Sequence, residues 1–320
     1  MNIERAPAPR AVAVSAHAPR IPDPGAAKYM LRAAWGSVGV AVVLVVVKGG
    51  AYFYTGSVAV LAALADSAID LVASLGNLVA VRQALMPADR QHRFGHGKAE
   101  PLAGLAQGAF IAVSTSFLAF ESVRHLLAPH PLAHGMAGVL VILFSMAATL
   151  GLVAYQRRAV RRSGSVAIAA DSMHYSGDLL TNAGVVAALI LSTYFGWYLA
   201  DPLIGLAVAA ILVWSAWWVV RRSSDQLMDR ELPEADRERI KDIVFNHKQV
   251  RGLHDLRTRS AGAVSFIQIH IELDPGLSLV RAHQASDEVE SALLKAFPGA
   301  EILIHIDPHG IEAPPPLALS

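Results

Sequence analysis

Six long apolar stretches occupy most of the first two thirds of the chain and predict six membrane-spanning helices. They cover residues 33–55, 57–84, 101–127, 134–156, 165–194 and 198–220. Each stretch reaches the length of about 20 residues that an α-helix needs to cross a hydrocarbon core about 30 Å thick. Because the number of spans is even, both ends of the chain are expected on the same side of the membrane.

The pattern changes after Arg222, where charged residues return and the apolar positions form shorter repeats. The order helix, strand, strand, helix, strand is predicted for residues 230–247, 251–260, 263–273, 279–296 and 300–307. In the second strand Ile267, Ile269 and Ile271 alternate, so they share one face. This αββαβ order predicts a small α+β domain with its helices on one face of the sheet.

Composition supports a membrane protein and excludes several classes of site. Hydrophobic residues make up 54% of the chain and charged residues 17%, against about 25% charged residues in soluble domains. The 27 basic and 26 acidic residues give no positive surplus, which argues against nucleic-acid binding. Without cysteine there are no disulfides or thiolate ligands, so the 13 histidines and the carboxylates are the strong metal ligands available.

Basic residues are concentrated at alternate connections between the spans, including Arg82, Arg90, Arg93, Lys98, Arg157, Arg158, Arg161 and Arg162. This bias places both termini in the cytoplasm. Residues 1–27 lack the apolar core of a secretory signal and are predicted to be a disordered cytoplasmic arm. The predicted domains are then a transmembrane domain, a linker, the C-terminal domain and a disordered tail, at 28–222, 223–229, 230–310 and 311–320.

Ionisable residues lie inside two of the predicted spans. Asp66 and Asp70 in the second span are four residues apart, as are His174 and Asp178 in the fifth. Each pair therefore shares a helix face. An acidic residue at the centre of a span costs roughly 2.5–3.5 kcal/mol on insertion scales, so three of them need compensating partners.

If these two helices face each other, three carboxylates and one imidazole provide the four ligands of a tetrahedral Zn²⁺ site. Small residues nearby would permit the close approach. The alternative is a hydrogen-bonded polar cluster that only fixes helix packing, although such clusters usually use Ser, Thr or Asn. Asp171, one turn before His174, is interpreted as an outer partner or a part of the ion's path, not as a ligand.

These motifs resemble one family over residues 28–307. Asp66-x-x-x-Asp70, His174-x-x-x-Asp178, the stretch FGHGKAE from Phe94 to Glu100 and the C-terminal HDLRTR have the order and spacing of the cation diffusion facilitators. The resemblance is closest to the bacterial branch that exports zinc and ferrous iron.

The resemblance implies a six-helix bundle followed by a cytoplasmic metallochaperone-like domain, in a homodimer in the bacterial inner membrane. It further implies exchange of a divalent cation for protons, with Asp66, Asp70, His174 and Asp178 as transport ligands. Aspartate at position 66 resembles the branch that handles Zn²⁺, Cd²⁺ and Fe²⁺. Such a protein is not an enzyme and has no protein substrate.

The resemblance also implies sites outside the spans. Asp89, His92 and His96 match the family's cytoplasmic loop site, with a solvated basic loop as the alternative. Lys98 matches a helix-locking lysine whose partner by spacing is Asp229. In the C-terminal domain, the residues that match a binuclear site joining the two domains of a dimer are His254, His270, His283, His305 and Asp307; ordinary surface histidines are the alternative. His134, His247 and His309 are predicted to be surface residues.

Competition between metal and protons at imidazole and carboxylate groups predicts a cycle in which inward proton flow drives metal efflux. The Irving–Williams order favours Zn²⁺ over Fe²⁺ at nitrogen and oxygen ligands, so zinc is the first candidate, followed by cadmium and ferrous iron. A membrane metalloprotease would need a motif such as His-Glu-x-x-His, which the chain lacks. A membrane-bound metal sensor remains the alternative, although it would not need the ligands inside the spans.

Overall fold

The computed structural model describes residues 24–56, 58–127, 136–197 and 199–310. Within these ranges six long helices are followed by a small α+β domain, which confirms the predicted fold class. The long helices are α1 (Pro24–Thr55), α2 (Val58–Ala84), α3 (Ala99–Leu127), α4 (Met136–Ser163), α5 (Val166–Phe195) and α6 (Ala200–Leu227). The C-terminal domain comprises α7 (Glu234–Phe245), β1 (Gly252–Ala261), β2 (Val264–Leu273), α8 (Leu279–Ala296) and β3 (Glu301–Pro308).

All six long helices have the length and apolar composition to cross a membrane. The shortest, α2, has 27 residues, which corresponds to about 40 Å at the helical rise per residue. Large apolar side chains point outward from the bundle, among them Val72, Val113 and Trp214, which are 69%, 71% and 72% exposed. A surface of this kind is compatible with lipid and not with water.

Helix α5 lies at the centre of the bundle, where it contacts α2, α3, α4 and α6. Its first turn is capped by Ser165, whose Oγ accepts a hydrogen bond from the Ile168 amide. The buried Glu100 at the start of α3 accepts hydrogen bonds from the Ser165 hydroxyl at 3.0 Å and from the Val166 amide at 3.1 Å. A carboxylate at a helix N-terminus satisfies free amide groups and stabilises the helix dipole. Residues 100 and 165 thus join the start of α3 to the start of α5, the helix that carries His174 and Asp178.

Two segment boundaries differ from the sequence prediction. Helix α1 begins at Pro24, inside the predicted arm 1–27, because proline is tolerated at the first turn of a helix. Helix α6 continues to Leu227, into the predicted linker 223–229. No glycine or proline interrupts it there, and Gln226 donates hydrogen bonds to Ser260 and Gly262 of the C-terminal domain. The irregular connection is therefore 228–233; the rest of the arm, residues 1–23, and the tail 311–320 lie outside the described residues.

The C-terminal sheet has the strand order β1-β2-β3, with β1 antiparallel and β3 parallel to β2. Helices α7 and α8 pack on one face, as predicted. The core between them contains Ile240, Val244, Ile267, Ile269, Ile271, Ala285, Val289, Leu293 and Ile302. The opposite face carries the histidines of β1, β2 and β3, so the same alternation that builds the core collects these predicted ligands on the other side.

The loop between α2 and α3 contacts the C-terminal domain. The guanidinium group of Arg259 lies 5.6 Å from the centre of the Phe94 ring and 4.0 Å from that of Phe266. Cation–π contacts of this geometry stabilise an interface. They attach the loop that carries Asp89, His92 and His96 to the sheet of the C-terminal domain.

Candidate metal sites

Three of the four predicted transport ligands converge between α2 and α5. The Asp70 Oδ1 atom lies 3.0 Å and the Asp178 Oδ2 atom 3.7 Å from Nε2 of His174. The ligand atoms of all three residues are within 4.8 Å of one another. Asp70 and His174 are buried, each with 7% exposure. We call Asp70, His174 and Asp178 the transport cluster.

Asp66 does not join the transport cluster in this conformation. It lies one turn before Asp70 on α2, and its side chain is exposed in the single chain. An ion held by the three clustered residues would have room for a fourth ligand in tetrahedral coordination. A rotation of the Asp66 side chain or a water molecule could supply that ligand.

Neighbouring residues hold the His174 ring in place. The Phe110 ring meets it edge-on, with 5.2 Å between ring centres. Tyr175, the next residue, shares a hydrogen bond of 2.8 Å with Ser74 of α2. These contacts fix α2 and α5 relative to each other beside the cluster, which is the kind of support that preorganises metal ligands.

Asp171 is buried in a separate polar contact. Its Oδ2 atom accepts hydrogen bonds from the Ser37 hydroxyl at 2.5 Å and from the Gln156 amide at 2.7 Å. The carboxylate therefore joins α1, α4 and α5 and does not point into the transport cluster. This position agrees with the interpretation of Asp171 as a residue other than a ligand.

Lys48 is a buried charge that the sequence analysis missed. Its ammonium group donates to the Ser67 hydroxyl at 2.6 Å and to the Ala63 carbonyl at 3.2 Å, so it lies against α2 on either side of Asp66. It interacts electrostatically with Asp66 and Asp178. The signal was present in the sequence, because a lysine inside an apolar span is a candidate functional residue.

The structure brings together Asp89, His92 and His96, which we call the loop cluster. Asp89 lies 3.4 Å from a ring nitrogen of each histidine. A backbone hydrogen bond from His92 holds the pKa of Asp89 below its usual value, and a second from Gln91 adds to the effect. The aspartate is therefore an anionic acceptor at neutral pH, suitable for a cation.

The structure places Lys98 beside Asp229, with 3.0 Å between Nζ and Oδ1. Arg259 contacts the same carboxylate oxygen at 3.3 Å. Partial burial acts to raise the pKa of Asp229, but the hydrogen bond from Lys98 and the nearby charges of Arg259 and Lys98 outweigh it and lower the pKa. The contact connects the start of α3 with the segment that follows α6.

In the C-terminal domain, His254, His270 and Asp307 form the sheet cluster. His254 and His270 are paired across β1 and β2, and His270 and His305 across β2 and β3. The Asp307 Oδ2 atom lies 2.9 Å from Nδ1 of His270 and 3.3 Å from Nε2 of His254. The ligand atoms of the three residues lie within 4.8 Å of one another. Strand register thus places two imidazoles and a carboxylate around one point.

The other predicted ligands lie at different distances from the sheet cluster. The His305 ring lies beside that of His270, tilted by 42° with 4.5 Å between ring centres, and contacts Asp307 at 3.2 Å. His283 lies on α8, on the other side of the sheet, where its Nε2 atom is 3.7 Å from Asp287. The single chain therefore does not bring His283 to the sheet cluster, which leaves its predicted role dependent on a second copy.

Glu272 and His309 extend the sheet cluster beyond the predicted residues. Glu272 lies 2.7 Å from Nδ1 of His309 and 3.1 Å from Nδ1 of His254. The hydrogen bond from His309, followed by that from His254, lowers the pKa of Glu272. His309 was predicted to be an ordinary surface residue. His247 is hydrogen-bonded to Glu288 at 3.0 Å, and His134 lies outside the described residues.

Both parts of the chain match known protein families. Residues 34–228 match the family described as cation efflux transmembrane domain, and residues 232–309 match the family described as cation efflux protein, cytoplasmic domain. The boundary between the two matches falls in the irregular connection after α6.

Whole-length relatives match as well. The chain is 45% identical over 284 residues to the cation-efflux pump FieF of Klebsiella pneumoniae, covering 89% of this chain and 94% of that protein. It is 46% identical over 281 residues to FieF of Escherichia coli strain K12, covering 88% and 93%.

A solved structure of CzrB in its Zn form is 35% identical, covers 27% of this chain and 99% of that one, and has a TM-score of 0.25. The two family matches and the identity to FieF extend over both the helical bundle and the α+β domain. The chain is thus a multi-pass membrane protein and belongs to the cation efflux, or cation diffusion facilitator, family.

Proposed function

We propose that this protein exports divalent metal cations from the cytoplasm in exchange for protons, with Zn²⁺ as the first substrate and Cd²⁺ and Fe²⁺ as further ones. The observation that carries the proposal is the transport cluster, in which Asp70, His174 and Asp178 converge within two membrane-spanning helices. Asp66 completes the ligand set when its side chain turns inward. Cation export also agrees with the FieF relatives, which are cation-efflux pumps.

The donor set explains the preference among metals. Carboxylate and imidazole ligands suit Zn²⁺ and other first-row dications, and a chain without cysteine has no thiolate for Cu⁺. Structural zinc sites bind with roughly 10–16 kcal/mol. A carrier must bind more weakly so that the ion can leave, and a cluster that holds three of its four ligands together fits that requirement.

Proton exchange follows from the chemistry of the same groups. Imidazole must be neutral and carboxylate ionised to bind a metal, so metal entry expels protons and proton entry expels metal. Exchange for two protons is electroneutral. Exchange for one would move net positive charge outward, which costs about 2.3 kcal/mol per 100 mV of membrane potential.

The proposed setting is the bacterial inner membrane, with both termini in the cytoplasm. The arginines at the ends of α4 and α6, next to the C-terminal domain, support this orientation through the positive-inside rule. We further propose a homodimer joined through the C-terminal domains. The match to a cation efflux cytoplasmic domain supports this arrangement, and a second copy could bring His283 to a metal shared between domains.

The loop cluster and the sheet cluster are proposed as regulatory metal sites. Both offer two imidazoles and one carboxylate, a donor set that fits Zn²⁺ or a similar ion. Metal in the sheet cluster would hold β1, β2 and β3 together on the face away from α7 and α8. Metal in the loop cluster would order the segment that contacts the same domain.

Proteoliposomes test the proposal against a sensor that binds metal without transport. Purified protein is reconstituted, a pH gradient is imposed, and uptake of Zn²⁺, Cd²⁺, Fe²⁺ and Mn²⁺ is measured in parallel. We expect gradient-dependent flux that is fastest for Zn²⁺ and absent in Asp70→Ala. Metal binding without flux would support the sensor, and flux that ignores the pH gradient would refute proton exchange.

A further inference from the structure

A second group of ionisable residues lies at the end of the bundle remote from the C-terminal domain. Glu121 and His125 are on α3, one turn apart, and Asp201 is in the first turn of α6. The His125 ring lies between the two acids, with Nε2 at 3.3 Å from Glu121 and Nδ1 at 3.4 Å from Asp201. We call these three residues the outer trio.

The outer trio lines a cavity of about 120 Å³ between α3, α5 and α6. A cavity needs only about 10–15 Å³ to hold one water molecule, so this one has room for an ion and several waters. Close packing of α3 on α6 forms its wall, because a Cβ at Gly205 would lie 2.3 Å from the Ser122 hydroxyl oxygen.

The residues that line the cavity lie on the same helix faces as the transport cluster. On α5, Thr181 and Val185 line the cavity. They lie 7 and 11 residues after His174, on the same face of the helix. On α3, Phe110 contacts His174, and Leu118, Glu121 and His125 follow it along one face toward the trio. The cavity therefore lies on the way from the cluster to the remote end of the bundle.

The bonding of His125 matches that of a metal-binding histidine. Such a histidine usually donates its second N–H group to a carboxylate, which fixes the tautomer and the ring orientation. Here Asp201 can accept from Nδ1, and the Nε2 edge of the ring faces Glu121. Glu121 and His125 then form an i, i+4 ligand pair on one helix, as His174 and Asp178 do on α5.

We propose that the outer trio is an exit site, where the exported dication binds briefly between Glu121 and Nε2 of His125 while Asp201 orients the imidazole. The inference rests on the proposed function, because it takes the remote end as the release side. Two protein ligands completed by water give weak binding, which suits release. Arg124, whose guanidinium lies 3.5 Å from the other Glu121 oxygen, opposes tight binding at the same place.

The test uses Mn²⁺ as a paramagnetic probe and the natural absence of cysteine. The full-length protein carries Asp70→Ala, which disables the transport cluster, and Leu126→Cys beside the trio. A nitroxide is attached to this cysteine, and the labelled protein is placed in nanodiscs. We expect Mn²⁺ to broaden the nitroxide spectrum. Glu121→Gln, which removes the carboxylate charge but keeps the length of the side chain, should raise the Mn²⁺ concentration that gives half-maximal broadening about tenfold, a loss of about 1.4 kcal/mol.

Two further variants separate ligation from packing. Asp201→Asn should weaken Mn²⁺ binding less than Glu121→Gln does, because Asp201 is a positioning residue. Arg124→Gln should strengthen Mn²⁺ binding, because it removes a repelling charge without removing a ligand. In proteoliposomes without the Asp70 change, Glu121→Gln should lower the turnover number and leave the loading half-saturation unchanged.

The exit site would be overturned if Mn²⁺ broadened the nitroxide spectrum equally with and without Glu121→Gln. It would also be overturned if Mn²⁺ did not broaden the spectrum of the labelled Asp70→Ala protein at all. Failure of the proposed function gives a different result, because wild-type vesicles would then carry no metal at all. Active wild-type vesicles together with unchanged Mn²⁺ broadening would contradict only the exit site.

Discussion

Gly97 lies directly against the backbone of Ala261, so that a Cβ at Gly97 would stand 2.2 Å from the Ala261 carbonyl oxygen. Gly97 follows His96 of the loop cluster, and Ala261 ends β1 at the turn into β2. Only glycine permits this approach between the membrane domain's loop and the C-terminal domain. The loop cluster therefore lies at the junction of the two domains, where metal binding in the loop can act on both.

Gly97→Ala is expected to separate the loop from the β1–β2 turn. Overpacking of this kind typically costs about 1–3 kcal/mol, and here the obstacle is backbone that cannot rotate away. We expect a lower melting temperature and faster proteolysis between residues 86 and 98. Gly151→Ala is the matched control, because a Cβ there has no neighbour within 4 Å and alanine favours a helix. Equal stability of the two variants would contradict the close contact.

The contact of Lys98 with Asp229 is expected to orient the domains and to contribute little to stability. Both side chains are more than 40% exposed, and exposed ion pairs are worth about 0–1 kcal/mol. Lys98→Met should therefore leave the melting temperature nearly unchanged but broaden the interdomain distances measured between spin labels. A large loss of stability would mean that Lys98 has a buried role.

The pH dependence of this contact follows from the lowered pKa of Asp229. A carboxyl group with a depressed pKa stabilises the folded state above its unfolded value of about 3.9, and that contribution disappears as the pH falls through the folded pKa. Between pH 6 and 8 the interdomain distances should therefore stay constant. A change within that range would point to histidine titration instead.

Metal binding in the sheet cluster is expected to stabilise the C-terminal domain without being required for transport. Zn²⁺ should raise the unfolding temperature of this domain in the full-length protein, because ligands that bind only the folded state stabilise it. The increase should diminish as the pH is lowered, since protons compete with the metal for imidazole. Glu272, whose pKa is lowered, stays ionised in this range and keeps supporting His254 and His309.

His270→Ala should remove the Zn²⁺-induced stabilisation and leave metal flux reduced but present. His247→Ala is the matched control, because His247 pairs with Glu288 outside the sheet cluster. Differential scanning calorimetry and vesicle uptake on the same preparations give both readouts. Complete loss of flux in His270→Ala would place the C-terminal domain in the essential path.

Lys48 is expected to weaken metal binding at the transport cluster. Its buried ammonium group lies against Ala63 and Ser67, on either side of Asp66, so it raises the free energy of a dication bound nearby. Lys48→Met should lower the half-saturating Zn²⁺ concentration and slow turnover through slower release, whereas Lys48→Arg keeps the charge. An unchanged or higher half-saturation in Lys48→Met would contradict this role.

The helical and strand pattern was predictable because it depends on local periodicity. Helix α8 has the predicted bounds, since Ser278 provides an N-cap whose side chain accepts from the Arg281 amide. The end of α6 was not predictable from the sequence, because polar residues after Arg222 can continue a helix beyond the membrane as well as end it.

The candidate sites were also predictable only in part. The i, i+4 pairs and the alternation along β2 identify the transport cluster and most of the sheet cluster. The contact of Glu272 with His309 depends on strand register beyond the end of β3, and Asp201 meets His125 only through the packing of α3 on α6. The position of Asp66 outside the cluster was not predictable, because periodicity identifies the helix face of a residue but not its side-chain rotamer.

The central claim is that the ligands inside the spans bind and move the metal. Its most direct test is Zn²⁺ loading of vesicles by a variant in which Asp66, Asp70, His174 and Asp178 are all alanine, beside wild type at equal protein density. Gel filtration and thermal unfolding establish that the variant is folded. The account predicts loading no faster than in protein-free vesicles; loading at the wild-type rate would contradict it.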